Sequence, residues 1–257
     1  MSIKAAFFDI DGTLVSFKTH RIPDSTLLAL KKLREKGIKV FISSGRHLSV
    51  IDNLGDEQFD GYITVNGSLC YLDGQIIHRR QIPRSDIYRW IDFQSTHNVD
   101  CCVVTEKKMY INTISESISN FFKLLNLPYP DIIDLHLIAD EPVYQIVGLV
   151  EQGHDSIARA ALPNCAFKRW HPSFADIVLQ GSDKSSGMQA LLDRLGITPA
   201  ECIAFGDGGN DIEMLQFAGI GVAMGDSAPV VLQAADYETT SIDEDGILNA
   251  LTHFHII

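Results

Sequence analysis

Apolar and polar positions along the chain follow two rhythms. Short apolar runs at 5–8, 38–42 and 62–65 have the length and composition of buried strands. Between the first two, Leu27, Leu30 and Leu33 lie on one helical face. Pro23-Asp24 begins that helix, with Asp24 as N-cap, and Gly37 ends it. Asp73-Gly74 marks a hairpin turn after the third strand. The same alternation returns near the C-terminus: a helix over 186–195 closed by Gly196, a strand over 202–205, a second helix and a strand over 220–223. Strands separated by helices predict a parallel sheet covered on both faces.

From Pro83 to Gly181 the rhythm changes. Ser85 caps a helix carrying Ile87, Trp90 and Ile91, and strands follow over 101–105 and 109–113. A helix over 115–126 carries Ile118, Phe121, Phe122 and Leu125, and a short strand covers 132–137. A strand over 144–150, a helix over 154–162 and strands over 166–170 and 176–179 complete the segment. Helix-strand-strand at both ends predicts a pseudo-symmetric α+β module set into the α/β domain. The expected fold is therefore a Rossmann-like, doubly wound parallel sheet with an inserted cap: residues 1–82 and 182–257 form the core, 83–181 the cap.

Composition is ordinary for a globular chain of 257 residues, and the formal charge of −12 argues against nucleic acid or an anionic membrane as partner. No apolar run approaches the ~20 residues of a membrane span, and Met1-Ser2-Ile3-Lys4 leads directly into a core strand. Cys70, Cys101, Cys102, Cys165 and Cys202 show no C-x-x-C spacing and read as reduced thiols, which fits a cytoplasmic protein.

The chemistry concentrates where the strands end. Asp9 and Asp11 are two apart after the first strand, so both project the same way, and Gly12 allows a sharp turn. Two carboxylates so close call for a cation or a shared proton, hence a hard metal, a carboxylate nucleophile, or both. Ser43-Ser44-Gly45-Arg46 follows the second strand, Asn66-Gly67 the third, and Gly206-Asp207-Gly208-Gly209-Asn210-Asp211 the strand near the C-terminus. In open parallel sheets ligands bind at that edge, so these groups should converge.

Asp-x-Asp-Gly-Thr after an apolar strand, Ser-Gly-Arg after the second, Lys184, and then Gly-Asp-Gly-Gly-Asn-Asp resemble the haloacid dehalogenase superfamily. The inserted module and the Asn66-Gly67 step resemble its Cof-type (subfamily IIB) sugar-phosphate phosphatases. The resemblance implies Asp9 as nucleophile, forming an aspartyl-phosphate, and Asp11 as acid/base. It implies Mg²⁺ held by Asp9, Asp207 and the backbone carbonyl of Asp11, with Asp211 behind them. Ser44, Gly45, Asn66, Lys184 and Asn210 would bind phosphate or substrate. Ser43 rivals Ser44 as the phosphate-binding hydroxyl. Arg46 is expected near a phosphate, near an acidic cap residue, or in a surface salt bridge. Within the cap, Asp176 could accept sugar hydroxyls and Trp170 could stack on a pyranose, with Arg169 and His171 beside them. The alternative is an edge-strand cluster with Trp170 in the cap core. His47 reads as a surface residue.

These features point to a Mg²⁺-dependent phosphatase of small phosphorylated metabolites, hexose or pentose phosphates, acting as a monomer. A phosphomutase or phosphotransferase on the same scaffold is the alternative enzyme. A non-catalytic sugar-phosphate sensor is the alternative of another class. Hinges at Ile82-Pro83 and Gly181-Ser182 would let the cap rock over the core.

Overall fold

The structure is a computed structural model describing residues 2–125, 127–150, 153 and 155–257, with every side chain among them except that of Trp170. It divides into two compact units, one running to His78 and resuming at Asp183, the other spanning Arg79–Ser182.

The first unit opens with β1 (Ala5–Phe8), α1 (Asp24–Glu35), β2 (Lys39–Ser43), β3 (Gly61–Thr64), β4 (Leu69–Leu72) and β5 (Gln75–Arg79). The second holds α2 (Arg84–His97), β6 (Cys101–Thr105), β7 (Met109–Ile111), α3 (Glu116–Leu124), β8 (Asp131–Ile132), β9 (Val143–Gly148), α4 (Asp155–Ala161), β10 (Cys165–His171) and β11 (Phe174–Leu179). The first unit resumes with α5 (Lys184–Leu195), β12 (Cys202–Gly206), α6 (Ile212–Phe217), β13 (Ile220–Ala223), α7 (Pro229–Leu232), β14 (Tyr237–Glu238) and α8 (Gly246–His253).

In the first unit an eight-stranded sheet runs β14-β13-β12-β1-β2-β3-β4-β5. β1 pairs in parallel with both β2 and β12, and the antiparallel pairing of β3 with β4 begins the hairpin side. From β1 the chain builds outward on one side through β2 and β3, then returns to build outward on the other through β12 and β13. The β1/β12 boundary is therefore the topological switch point, where side chains at the strand ends face an open crevice. β1 is wholly buried, and successive residues serve opposite faces. Ala6 and Phe8 join the cluster with Leu30, Leu33 and Leu251, while Ala5 and Phe7 pack with Met188, Leu191 and Leu192 of α5. Phe7 stacks on Phe41 and Phe8 on Phe205, each with ring centroids 4.9 Å apart.

The second unit carries a six-stranded sheet in the order β10-β11-β9-β6-β7-β8. Trp90 and Ile91 of α2 pack with Cys101, Ile146, Phe167 and Ile177 in a core of its own.

Several local expectations shift. Pro23, not Asp24, stands at the N-cap of α1, and Asp24 instead occupies the first turn, where its charge suits the helix dipole. The N–H of Asp86 donates to the Pro83 carbonyl at 2.8 Å, so α2 begins before Ser85. Ser115, expected inside the helix, caps α3 instead, accepting from the N–H of Ile118 at 3.1 Å; α3 ends at Leu124, and Asn126, in the expected span, lies outside the described residues, as does His154. The strand expected over 132–137 is only the two-residue β8 followed by a 3-10 turn. There the Asp134 carboxylate accepts the His136 N–H at 3.0 Å, giving the backbone a partner other than a ladder. α5 starts at Lys184, two residues earlier than its apolar periodicity suggests, because Asp183 and Ser186 form a reciprocal capping box. The short α7, β14 and the C-terminal α8 were not anticipated.

Candidate active site

The site is assembled at the C-terminal ends of β1, β2, β3 and β12, with one contribution from the start of α5. The register Phe8↔Ile42 and Phe8↔Phe205 brings Asp9, the residues after Ile42 and the loop after Phe205 to one level. The Asp9 N–H continues the ladder, donating to Phe205 O at 3.0 Å. Gly12 turns the chain with φ 89°, and a Cβ there would fall 2.5 Å from Asp207 Oδ2. Only glycine permits that approach of the first loop to the 206–211 loop.

Lys184 lies at the centre, fully buried. Its ammonium donates to Asp9 Oδ1 and to Asp211 Oδ1, both at 2.5 Å. Asp211 has its other oxygen occupied as well, since Oδ2 accepts the N–H groups of Asp207 at 3.0 Å and Gly208 at 2.8 Å. Asp211 thus shapes the 206–211 loop and anchors the lysine at once. Asp207 is held by the hydroxyl of buried Thr13, which donates to its Oδ1 at 2.8 Å.

The electrostatics follow from this crowding. Burial raises the Asp9 pKa well above the usual carboxylate range; Lys184 opposes that, while Asp211, Asp207 and Asp11 add to it. Burial, then Asp211, push Asp207 up to about 7 against the Thr13 hydrogen bond and Lys184. Burial alone would depress Lys184, but Asp211 and Asp9 prevail and hold it above its ordinary value. Three carboxylates and one ammonium leave the pocket short of positive charge.

A hard divalent cation would correct that deficit. Asp9, Asp207 and Asp211 each offer a carboxylate oxygen, all within 4.8 Å of one another. Among the described residues Asp9 Oδ2 and Asp207 Oδ2 accept no hydrogen bond, whereas both oxygens of Asp211 are engaged. The donors are all oxygen, as hard cations prefer. Asp9 and Asp207 are the direct ligand candidates, and Asp211 supports them.

On the opposite side of Asp9, Ser44 receives the N–H of Arg46 on its Oγ at 3.1 Å, while the Oγ of buried Ser43 has no partner among the described residues. Asn210 Nδ2 donates to Asn66 Oδ1 at 3.1 Å, joining the loops after β3 and β12. Gly45 packs on that pair: a Cβ would stand 3.1 Å from Asn66 Oδ1. Val65, Asn66 and Gly67 all have positive φ (53°, 50° and 87°), a left-handed turn rare outside glycine.

Arg46 pairs within its own unit: its guanidinium forks Asp11, Nε to Oδ2 at 2.7 Å and Nη2 to Oδ1 at 2.8 Å. His47 is buried, with its Nδ1 accepting the Ser49 N–H at 3.2 Å, so it is a turn cap and not a surface residue. Arg169 is spent inside its own unit, on Asp155 and the carbonyls of Val150, His171, Pro172 and Phe174. Asp176 is buried in β11, directly opposite Lys168 of β10. Trp170 lies in β10, but its side chain is outside what is described. Sequence reasoning missed Thr13 and Asn53 as members of the site; Asn53 Nδ2 lies 3.5 Å from Asp11 Oδ1. Thr13 sits within Asp-x-Asp-Gly-Thr and could have been found there; Asn53, in a loop without a motif, had no signal.

Residues 6–251 match the model of the haloacid dehalogenase-like hydrolase family. YkrA of Bacillus subtilis is 30% identical over 263 residues, covering 100% of both chains. Among solved structures, the subclass IIB sugar phosphatase BT4131 is 39% identical with a TM-score of 0.92, over 99% of this chain and 100% of its own. The phosphatase BT1666 of Bacteroides thetaiotaomicron is 32% identical with a TM-score of 0.90, over 100% and 96%. Family match, sequence identity and fold agree: the chain belongs to the haloacid dehalogenase-like hydrolases and is a phosphoric monoester hydrolase.

Proposed function

We propose that this chain is a Mg²⁺-dependent phosphatase of small phosphorylated metabolites, sugar phosphates foremost, that works through an aspartyl-phosphate on Asp9. The observation that carries the reading is the buried ammonium of Lys184 between Asp9 and Asp211, beside Asp207. A salt bridge kept for stability alone would not need a third, half-buried carboxylate whose pKa is driven to about 7. Likeness to a sugar phosphatase supports the substrate class.

In this mechanism Lys184 neutralises the charge between Asp9 and an incoming phosphate. Asp9 attacks phosphorus through a carboxylate oxygen, forming the aspartyl-phosphate as the phosphorus–oxygen bond to the sugar breaks. Asp11, outside the lysine's reach, gives its proton to the departing alkoxide and then takes one from the water that cleaves the aspartyl-phosphate. Ser44 and Asn66 contribute hydrogen bonds to the phosphoryl oxygens. Asp9, Asp207 and the Asp11 carbonyl would hold Mg²⁺, which when bound supplies a positive charge facing those oxygens. We assign recognition of the leaving group to residues 83–181, with Asp176 as a candidate acceptor for sugar hydroxyls.

The test is phosphate release by the purified protein from a panel of phosphorylated sugars, polyols and nucleotides, with Mg²⁺ and with chelator. Sugar phosphates should turn over fastest, chelator should stop the reaction, and Asp9→Asn should lose at least about 10³-fold in kcat. No release from any member of the panel, or full activity in Asp9→Asn, would overturn the proposal. Interconversion of labelled hexose phosphates without net release would make the enzyme a mutase.

A further inference from the structure

The carboxylate of Asp11 has its own set of partners, all in the core unit and all away from Lys184. Arg46 Nε and Nη2 grip Oδ2 and Oδ1 at 2.7 and 2.8 Å, a bidentate fork. The fork is itself braced, since Nη1 donates to Val50 O at 3.3 Å and the Arg46 N–H to Ser44 Oγ at 3.1 Å. Asn53 Nδ2 approaches Oδ1 from another side at 3.5 Å. Its amide oxygen is buried with no partner among the described residues, so nothing else on that amide fixes its orientation. Turning the amide over would set that oxygen against the Asp11 charge. The carboxylate therefore orients Asn53, and Asn53 in turn blocks one edge of the carboxylate.

A carboxylate offers about four lone-pair directions. The fork takes the two inner ones, and Asn53 stands against the outer one of Oδ1. One direction is left, on Oδ2. The geometry points to Arg46 and Asn53 as positioning residues that hold the Asp11 carboxyl so that Oδ2 is the atom exchanging the proton. This rests on the acid/base reading of Asp11 given above. In the first step the Oδ2 proton passes to the bridging ester oxygen, which leaves with the electron pair of its bond to phosphorus. Asp11 is then a carboxylate. In the second step Oδ2 takes a proton from water as the water oxygen bonds to phosphorus and the bond to Asp9 breaks. The motif Ser-Gly-Arg thus contributes to proton transfer through its arginine as well as to phosphate binding through its serine.

The experiment compares two leaving groups: a hexose 6-phosphate, whose alkoxide needs a proton, and p-nitrophenyl phosphate, whose phenolate does not. Arg46→Ala, Arg46→Lys and Asn53→Ala are assayed alone and combined with Asp11→Asn. In single turnover, Arg46→Ala should slow phosphoryl transfer to Asp9 about 10- to 100-fold from the sugar phosphate and less than about 3-fold from the aryl ester, while hydrolysis of the aspartyl-phosphate, common to both, slows equally. Arg46→Lys keeps the charge but not the fork and should rescue little; Asn53→Ala should shift the same ratio less. Added to Asp11→Asn, none of the three should cost anything further. Equal losses on both esters in the transfer to Asp9 with a raised KM, or losses that persist beside Asp11→Asn, would overturn the proposal and make Arg46 a phosphate ligand. If Asp11→Asn itself fails to separate the two esters, the acid/base reading falls. If it separates them and the Arg46 variants do not, only the positioning role falls. Should Arg46→Ala not fold, Arg46→Lys and Asn53→Ala carry the same comparison.

Discussion

Lys184 and Asp9 show how a single residue can serve function against its own stability. Removing the lysine would leave Asp9 and Asp211 buried with no counter-charge, a loss of about 3–5 kcal/mol for a broken buried pair. Lys184→Met should therefore lower stability by that amount as well as abolish turnover, measured by urea unfolding of the metal-free protein. Asp9→Asn should do the opposite. Burial and the neighbouring Asp211, Asp207 and Asp11 disfavour an ionised Asp9, and an amide removes that charge while Lys184 keeps Asp211. The variant should be inactive yet more stable without metal by about 1 kcal/mol, a rise of roughly 2–4 °C in Tm. An unchanged or lower Tm would mean that the Lys184–Asp9 bond outweighs the repulsion. Much of this site was legible as residue types and spacings, because Asp9, Asp11 and Asp207 stand in short motifs at strand ends and Lys184 at the start of a helix. What those spacings could not give is direction. Arg46 is next to Gly45 whether it reaches toward a ligand or back onto Asp11, and only the fold of the loops carrying Asp11 and Val50 decides that. His47 was misjudged for a related reason: its own turn buries it, and no apolar periodicity marks a capping histidine.

At the scale of elements, the start of α5 is the piece on which the site turns. Asp183 and Ser186 fix the helix end, and Gly67 of the left-handed turn packs against it so tightly that a Cβ would stand 1.9 Å from the Asp183 carbonyl oxygen. Gly67→Ala should consequently cost about 1–3 kcal/mol in strain and shift Lys184 away from Asp9, lowering kcat more than it changes KM. Wild-type kcat in a folded Gly67→Ala protein would rule out that coupling. A second joint lies where β12 begins. Glu201 accepts from Thr198 N–H at 3.0 Å and from Thr198 Oγ1 at 2.9 Å, and it pairs with Lys4 at 2.5 Å just before β1. Lys4, then the Thr198 backbone and hydroxyl, lower the Glu201 pKa to about 2 from its ordinary 4.5. A depressed acid stabilises the fold above its unfolded value and loses that contribution as pH falls through the folded one. Glu201→Gln should hence be less stable than wild type at pH 7, and the gap should close between about pH 4.5 and 2. A gap independent of pH in thermal melts would show that the charge is immaterial. Helix ends of this kind explain the boundary errors of sequence reading. Apolar spacing marks the middle of α5, while its true start depends on a polar capping pair, and β8 shrank because Asp134 offered the backbone a local partner.

For the whole molecule, the rhythm of the sequence changes near residues 83 and 181, and the compact units part at His78/Arg79 and Ser182/Asp183. Alternating strand and helix patterns are readable because each element buries one face on its neighbours. The C-terminal α8 escaped notice because its run, Gly246–His253, is short and begins after Asp245 in a left-handed conformation without a side-chain cap. The two units differ in how their cores are made. Ile203, Phe205, Ile247 and Leu251 from the end of the chain pack with Phe8, Leu30 and Ile42 from its beginning, so the first unit cannot form until both segments exist. Residues Arg79–Ser182 are continuous and hold a core drawn wholly from themselves, including Trp90, Ile146, Phe167 and Ile177. A continuous segment with its own core meets the physical requirement for independent folding. The fragment 79–182 should accordingly unfold cooperatively when expressed alone, with a sigmoidal thermal transition in circular dichroism. The fragment 1–78 should show none unless 183–257 is supplied or fused to it. A featureless melt of 79–182 would mean that its cluster is insufficient alone, and a cooperative melt of 1–78 would mean that the shared core is dispensable.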